Sequence, residues 1–195
     1  MTPSSHSGGL ATLNGVTSYS LRRLRLRTGE EQREEVEIQL EPFELGGERY
    51  LPVPPEARAE LTIDRAIGGD VFRLRFPTRL HGPCMRCLED AVVDIAVDGR
   101  EYHSVDDAAD EQLRSAYVVD DRLELSAWAR DAIALELPDQ ILCRPDCAGL
   151  CPVCGADRNT VDCGHGGTED LDPRWAALAG LADRSEEDND ASPQA

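Results

Sequence analysis

The chain has 195 residues, 41% hydrophobic but only 5% aromatic, so it can bury one core that must be mainly aliphatic. No run approaches the ~20 apolar residues of a membrane helix. The opening residues carry neither the basic patch nor the apolar stretch of a secretory signal, so a soluble, cytoplasmic protein without membrane contact is expected. The formal charge is −18 and all 20 cations are arginine; a uniform surface of that sign repels RNA and anionic lipid, so any RNA contact needs a local basic patch or a protein intermediary.

Residues 1–17 are rich in Ser, Thr and Gly and read as a disordered tail. A body follows over 18–140. Val36, Ile38 and Leu40 alternate with polar neighbours, as do Ala59, Leu61 and Ile63, then Phe72, Leu74 and Phe76, then Val93, Ile95 and Val97. Period two of this kind predicts half-buried, antiparallel strands, with Gly68-Gly69 as a two-residue hairpin turn. The stretch 101–140 is acidic. Within it, Leu125, Trp128, Ala129, Ala132 and Ile133 follow helical spacing, which predicts a helix over 126–137, capped by Ser126, stopped by Pro138 and covering the sheet. Residues 141–166 form a Cys-rich segment. The segment 167–182 is read as a short C-terminal helix of about ten residues, opened by Asp172-Pro173, with Trp175, Leu178, Ala179 and Ala182 on one face. The tail 183–195 is acidic and read as disordered. The fold class is α+β: a mainly antiparallel β-sheet, one or two helices and a zinc-bound Cys-rich C-terminal segment.

The cysteines carry the chemistry. There are seven, an odd number for a disulfide framework, and they cluster as metal ligands do. Cys84-x-x-Cys87 and Cys151-x-x-Cys154 each present two sulfurs to one tetrahedral ion; Cys143 and Cys147 are separated by three residues, and Cys163-x-His165 adds a thiolate and an imidazole. Eight ligands make two sites. One partition joins Cys84, Cys87, Cys143 and Cys147, and separately Cys151, Cys154, Cys163 and His165. A rival joins the two Cys-x-x-Cys pairs as one ribbon and leaves the others spare or on a second ion. The first is favoured because it fills both sites. Either way one or two Zn2+ ions are expected, in sites saturated by protein and therefore structural, not catalytic.

The one strongly basic zone holds Arg73, Arg75, Arg79 and Arg86. Arg73 and Arg75 lie on the strand face opposite Phe72, Leu74 and Phe76, and these guanidinium groups are candidates for RNA or partner contact. Trp175 is a further candidate for partner contact. No phosphate loop, nucleophile elbow or zinc-protease motif occurs, and an enzyme is not expected.

The string Leu142-Cys143-Arg144-Pro145-Asp146-Cys147-Ala148-Gly149-Leu150-Cys151-Pro152-Val153-Cys154-Gly155, with Cys84-Met85-Arg86-Cys87-Leu88 upstream and Asp172-Pro173-Arg174-Trp175 downstream, closely resembles the bacterial YceD family, also called the domain of unknown function 177 family. The resemblance spans about residues 18–182. The family often closes its cluster with Cys-x-Cys, where this chain has Cys163-Gly164-His165; histidine is a competent zinc ligand. The resemblance implies a ribosome-biogenesis factor for accumulation or processing of large-subunit ribosomal RNA. The implied partner is that rRNA or a pre-ribosomal particle, and the acidic segments of the chain add a basic ribosomal protein as a further candidate by charge. The alternative is an acidic, zinc-stapled adaptor that binds protein without touching RNA.

Overall fold

A computed structural model describes residues 10–13, 16–106 and 110–165. Its elements are β1 (Leu10–Leu13), β2 (Val16–Ser20), β3 (Glu31–Gln39), β4 (Phe43–Leu45), β5 (Glu48–Pro52), β6 (Glu56–Ala66), β7 (Gly69–Pro83), β8 (Asp90–Ser104), β9 (Val118–Val119), β10 (Arg122–Glu124) and α1 (Leu125–Leu135). The architecture is mainly antiparallel β-sheet with one α-helix, an α+β fold. No helix among the described residues is long and apolar enough to cross a membrane. The chain divides into two compact units, residues 1–149 and 150–195.

The period-two pattern builds a six-stranded sheet in the first unit. The long strand β7 is its axis. One edge pairs with β8 along its whole length, while the other pairs first with β6 and then, near its end, with β5. β3 lies outside β6, and β4 outside β5. Alternate side chains therefore share one face, and Ile38, Leu61, Ile63, Phe72, Leu74 and Leu80 are all buried there. Each such side chain contributes about 1.5–3 kcal/mol by leaving water. The other face carries Arg73, Arg75 and their neighbours.

A second, smaller sheet of four strands, in the order β1-β2-β10-β9, was not anticipated. Its strands are two to five residues long, too short for alternation to show in the sequence. Two of them come from the expected tail: of 1–17, residues 10–13 and 16–17 are extended and paired as β1 and the start of β2. Their Ser and Thr content suggested disorder, but Thr17 and Ser18 are buried, and Thr17 Oγ1 accepts the Gln39 N–H at 3.1 Å.

Two local expectations shift for physical reasons. The β6–β7 hairpin closes on the pair Ala66 and Gly69, so its two-residue turn is Ile67-Gly68, one position earlier than expected. The helix runs 125–135, not 126–137. A residue before proline is pushed out of helical conformation, and this excludes Leu137 ahead of Pro138. Ser126 does not cap it. Its hydroxyl accepts the Thr17 N–H and donates to the Gln39 carbonyl, both at 2.9 Å, and so locks α1 to β2 and β3. Trp128, Ala129, Ala132 and Ile133 are buried, as their spacing predicted. The helix expected over 167–182, with Trp175, and the tail 183–195 lie outside the described residues.

Candidate metal centres

The first centre sits where β7 turns into β8. Cys84 follows the last residue of β7, and the chain reverses over Cys84–Glu89. Two bonds fix the turn: Leu88 N–H donates to the Cys84 carbonyl at 3.0 Å, and Cys84 N–H donates to the Glu89 carbonyl at 2.7 Å. Leu88 takes a left-handed conformation, φ +65°, to close it. The turn is anchored beneath by Tyr50, whose hydroxyl donates to the Pro83 carbonyl at 2.8 Å. Its ring occupies the space where a Cβ on Gly82 would lie, only 2.4 Å from a ring carbon, so glycine is required there.

The loop after α1 brings the other two ligands. Met85 N–H donates to the Ile141 carbonyl at 2.9 Å, and Ile141 N–H reaches Met85 Sδ at 3.4 Å. This seats Cys143 and Cys147 against the turn. Cys84 and Cys147 sulfurs are 3.8 Å apart, and Cys87 and Cys143 sulfurs 3.5 Å. All four sulfurs lie within 4.8 Å of one another. A tetrahedral ion bonded at about 2.3 Å sets its sulfurs about 3.8 Å apart, so the cluster has the right size for zinc. Cys84, Cys87 and Cys147 are buried and Cys143 is exposed.

The second centre belongs to the second unit. Cys151, Cys154, Cys163 and His165 also bring their ligand atoms within 4.8 Å. Its turn repeats the first: Gly155 N–H donates to the Cys151 carbonyl and Cys151 N–H to the Ala156 carbonyl, both at 2.8 Å. Further on, Asp157 Oδ1 accepts the Asn159 N–H at 2.9 Å, and Asp162 Oδ1 accepts the Gly164 N–H at 3.0 Å; these side-chain turns bring Cys163 and His165 round to the pair. The eight candidate ligands thus group as the first sequence partition has them. The two Cys-x-x-Cys pairs fall in different clusters, unlike the ribbon arrangement. The segment read as one stretch, 141–166, divides, because Cys143 and Cys147 lie in the first unit.

Within each cluster one thiol ionises first. Burial opposes the Cys84 thiolate, but the backbone N–H groups of Arg86, Cys143 and Cys87 outweigh it and bring the thiol from 9.0 to about 6. The Cys154 and Val153 N–H groups do the same for Cys151, also to about 6. The neighbours go the other way. The Glu89 N–H favours a Cys87 thiolate, but burial and the thiols of Cys143, Cys147 and Cys84 prevail, and Cys87 rises to about 12. Burial raises Cys143; for Cys154 the Ala156 N–H is overcome by the Cys151 sulfur. Bare thiolates this close repel one another, so complete ionisation of either cluster calls for a cation. Soft thiolate sets with one imidazole match zinc in chemistry as well as in spacing.

The arginines stand differently. Arg73 holds Asp98 with two bonds, at 2.7 and 2.5 Å; Arg75 pairs with Glu60 and Arg79 with Asp94 across the sheet. Cross-strand register sets these pairs, with Arg75 opposite both Glu60 and Asp98, and Arg79 opposite Asp94. Each of these three arginines is thus paired with a carboxylate. Arg86, on the first turn, is exposed and has no ion pair among the described residues. Trp175 lies outside them.

Known proteins resemble this chain in part. An uncharacterized protein of Mycobacterium tuberculosis is 39% identical over 101 residues, 50% of this chain and 48% of that protein. The uncharacterized protein YlbN of Bacillus subtilis is 27% identical over 148 residues, 71% of this chain and 79% of its own length. A maize chloroplast protein named large ribosomal RNA subunit accumulation protein YCED homolog 1 is 34% identical over 80 residues, 41% of this chain and 23% of that one. The chain spans about half the length of the mycobacterial relatives it matches. No solved structure matches. The family model described as large ribosomal RNA subunit accumulation protein YceD matches residues 72–182, a stretch that holds all eight candidate ligands and more than half of the sequence, and the chain belongs to the YceD family.

Proposed function

We propose that this protein is a cytoplasmic ribosome-biogenesis factor that supports accumulation of large-subunit ribosomal RNA, with one structural zinc ion in each of its two clusters. The family match over residues 72–182 carries the ribosomal part. The maize relative named for large ribosomal RNA subunit accumulation supports it. The two four-ligand clusters carry the metal part. Four protein ligands leave no open position for substrate or water, so the ion's chemistry is to hold the fold together, and the protein acts by binding. The test is ultraviolet crosslinking of the tagged protein in its own cells, with sequencing of the attached RNA. Enrichment of large-subunit rRNA or its precursor is expected; efficient recovery of the protein without enriched RNA overturns direct RNA contact.

One observation favours an adaptor that meets the particle through protein. Arg73, Arg75 and Arg79 are each paired with a carboxylate and lose little on leaving RNA. Arg86 is then the remaining cation of the candidate RNA set. Under direct contact, Arg86→Ala weakens particle association while the triple substitution of Arg73, Arg75 and Arg79 chiefly weakens the sheet. Under the adaptor reading both leave association unchanged.

A further inference from the structure

We infer that a groove between the free edge of β8 and helix α1 is a docking site for a basic, extended peptide segment of a partner protein. β8 has 15 residues and pairs only with β7 among the described residues, so its outer edge offers unsatisfied N–H and C=O groups. Beside residues 97–101 of that edge lies a groove of about 180 Å³. Its apolar floor is Val97, Trp128 and Ala132. Leu135, at its rim on the last turn of α1, is 86% exposed.

The charge around the groove selects the occupant. Glu101, Asp131 and Glu136 line it, against Arg100 alone on the cationic side apart from Asp98 and its Arg73 partner. Glu101 and Glu136 have no ion pair among the described residues. The C-terminus of α1 points its partial negative charge here, Glu136 sits at that end, and the last turn carries no basic residue. Tyr117, which lines the same groove, responds to this field: burial, its bond to Asp131 and the nearby Glu101 push its hydroxyl up to about 12. A strand edge gives main-chain pairing, the apolar floor takes alternate side chains, and uncompensated carboxylates attract cations. An arginine- or lysine-rich segment with alternating aliphatic residues meets all three demands. RNA fails the charge demand, because its phosphates face the same carboxylates. The inference deepens the ribosomal reading, on which it rests only for the partner's source; its failure in vitro leaves the crosslinking test in cells untouched.

The test uses the full zinc-loaded chain and a fluorescein-labelled synthetic peptide in which arginine alternates with valine, read by fluorescence anisotropy. Binding is expected, with slowed hydrogen exchange at residues 97–101. The double change Glu101→Arg and Glu136→Arg is expected to weaken it at least about tenfold, since each reversal turns attraction into repulsion. Glu44→Arg with Glu48→Arg, on the exposed β4–β5 hairpin, changes net charge equally and is expected to keep most of the affinity. Should Glu101→Arg unfold the sheet, Leu135→Ser on the exposed helix end reads the same groove. The inference is overturned if the peptide does not bind, if the hairpin control weakens binding as much as the groove variant, or if single-stranded RNA binds instead and is lost with the same groove substitutions.

Discussion

Leu88 and Gly155 occupy the same place in two copies of one turn. Each is the fourth residue after the first cysteine of its pair, each donates its N–H to that cysteine's carbonyl, and each is left-handed, with φ +65° and +73°. The second turn fills the position with glycine, which accepts it without steric strain; the first fills it with a leucine that is 59% exposed and gains little from packing. A left-handed L-residue costs about 1–2 kcal/mol, and glycine costs about 0.5–1 kcal/mol in chain entropy. Leu88→Gly is therefore expected to stabilise the first unit by about 0.5–1 kcal/mol. Gly155→Ala is expected to cost the second centre about 1 kcal/mol and to speed loss of its metal. Denaturant melts of the first and competition with a zinc-binding dye for the second check these; a destabilised Leu88→Gly variant contradicts the strain argument.

Metal content tests the grouping of ligands. Cys87→Ser and Cys143→Ser disrupt the same cluster, so singly or together they are expected to lose the same one ion. Cys87→Ser combined with Cys154→Ser disrupts both clusters and is expected to lose both. In a ribbon built from the two Cys-x-x-Cys pairs, that last combination removes only one ion. Elemental analysis of the purified variants separates the cases, with circular dichroism confirming that each remains folded.

What the sequence revealed, and what it hid, follows from the range of each interaction. Alternation over six or more residues reports a sheet face directly, and Phe72, Leu74 and Phe76 are buried as expected. The spatial grouping of the eight candidate side chains was legible because tetrahedral geometry limits spacing and eight donors are enough for two sites. The small sheet was hidden because its partners Tyr19 and Leu123 are 104 positions apart and its strands too short to show a period. The balance of Arg73 and Arg79 by Asp98 and Asp94 was hidden for a related reason: those pairs are created by the register of β7 on β8, which no local pattern encodes. Leu88 gave no signal, since only the turn's hydrogen bonds demand its conformation.

Ser126 distinguishes a cap from a tie. As an N-cap its loss would cost about 1 kcal/mol. Here its hydroxyl serves Thr17 N–H and the Gln39 carbonyl, and Thr17 is fully buried. Ser126→Ala leaves both groups unpaired, at an expected cost of about 2–3 kcal/mol, only slightly offset by alanine's better helix propensity. Denaturant unfolding gives the value, and Thr17 amide exchange is expected to quicken with it. A loss below about 1 kcal/mol would mean that water or a rearranged strand replaces the tie.

His103 is expected to make the first unit sensitive to mild acid. Burial lowers its pKa below 6.5; Asp70 opposes the shift, Arg114 adds to it, and Asp121 opposes it again. Its Nδ1 accepts the Ser115 N–H at 3.2 Å, a bond that only an unprotonated nitrogen can make. Below 6.5 the unfolded chain therefore binds a proton that the folded chain resists. With more protons bound in the unfolded state, stability rises with pH, so this contribution is complete above 6.5 and falls away as pH drops through and below it. His103→Asn keeps an acceptor near the Nδ1 position and removes the titration. The variant is expected to flatten the stability profile on the acid side of 6.5 while leaving neutral stability nearly unchanged. Denaturant midpoints across that interval, with metal content measured at each pH, decide it; profiles of equal slope in the two proteins would assign the acid sensitivity to other groups.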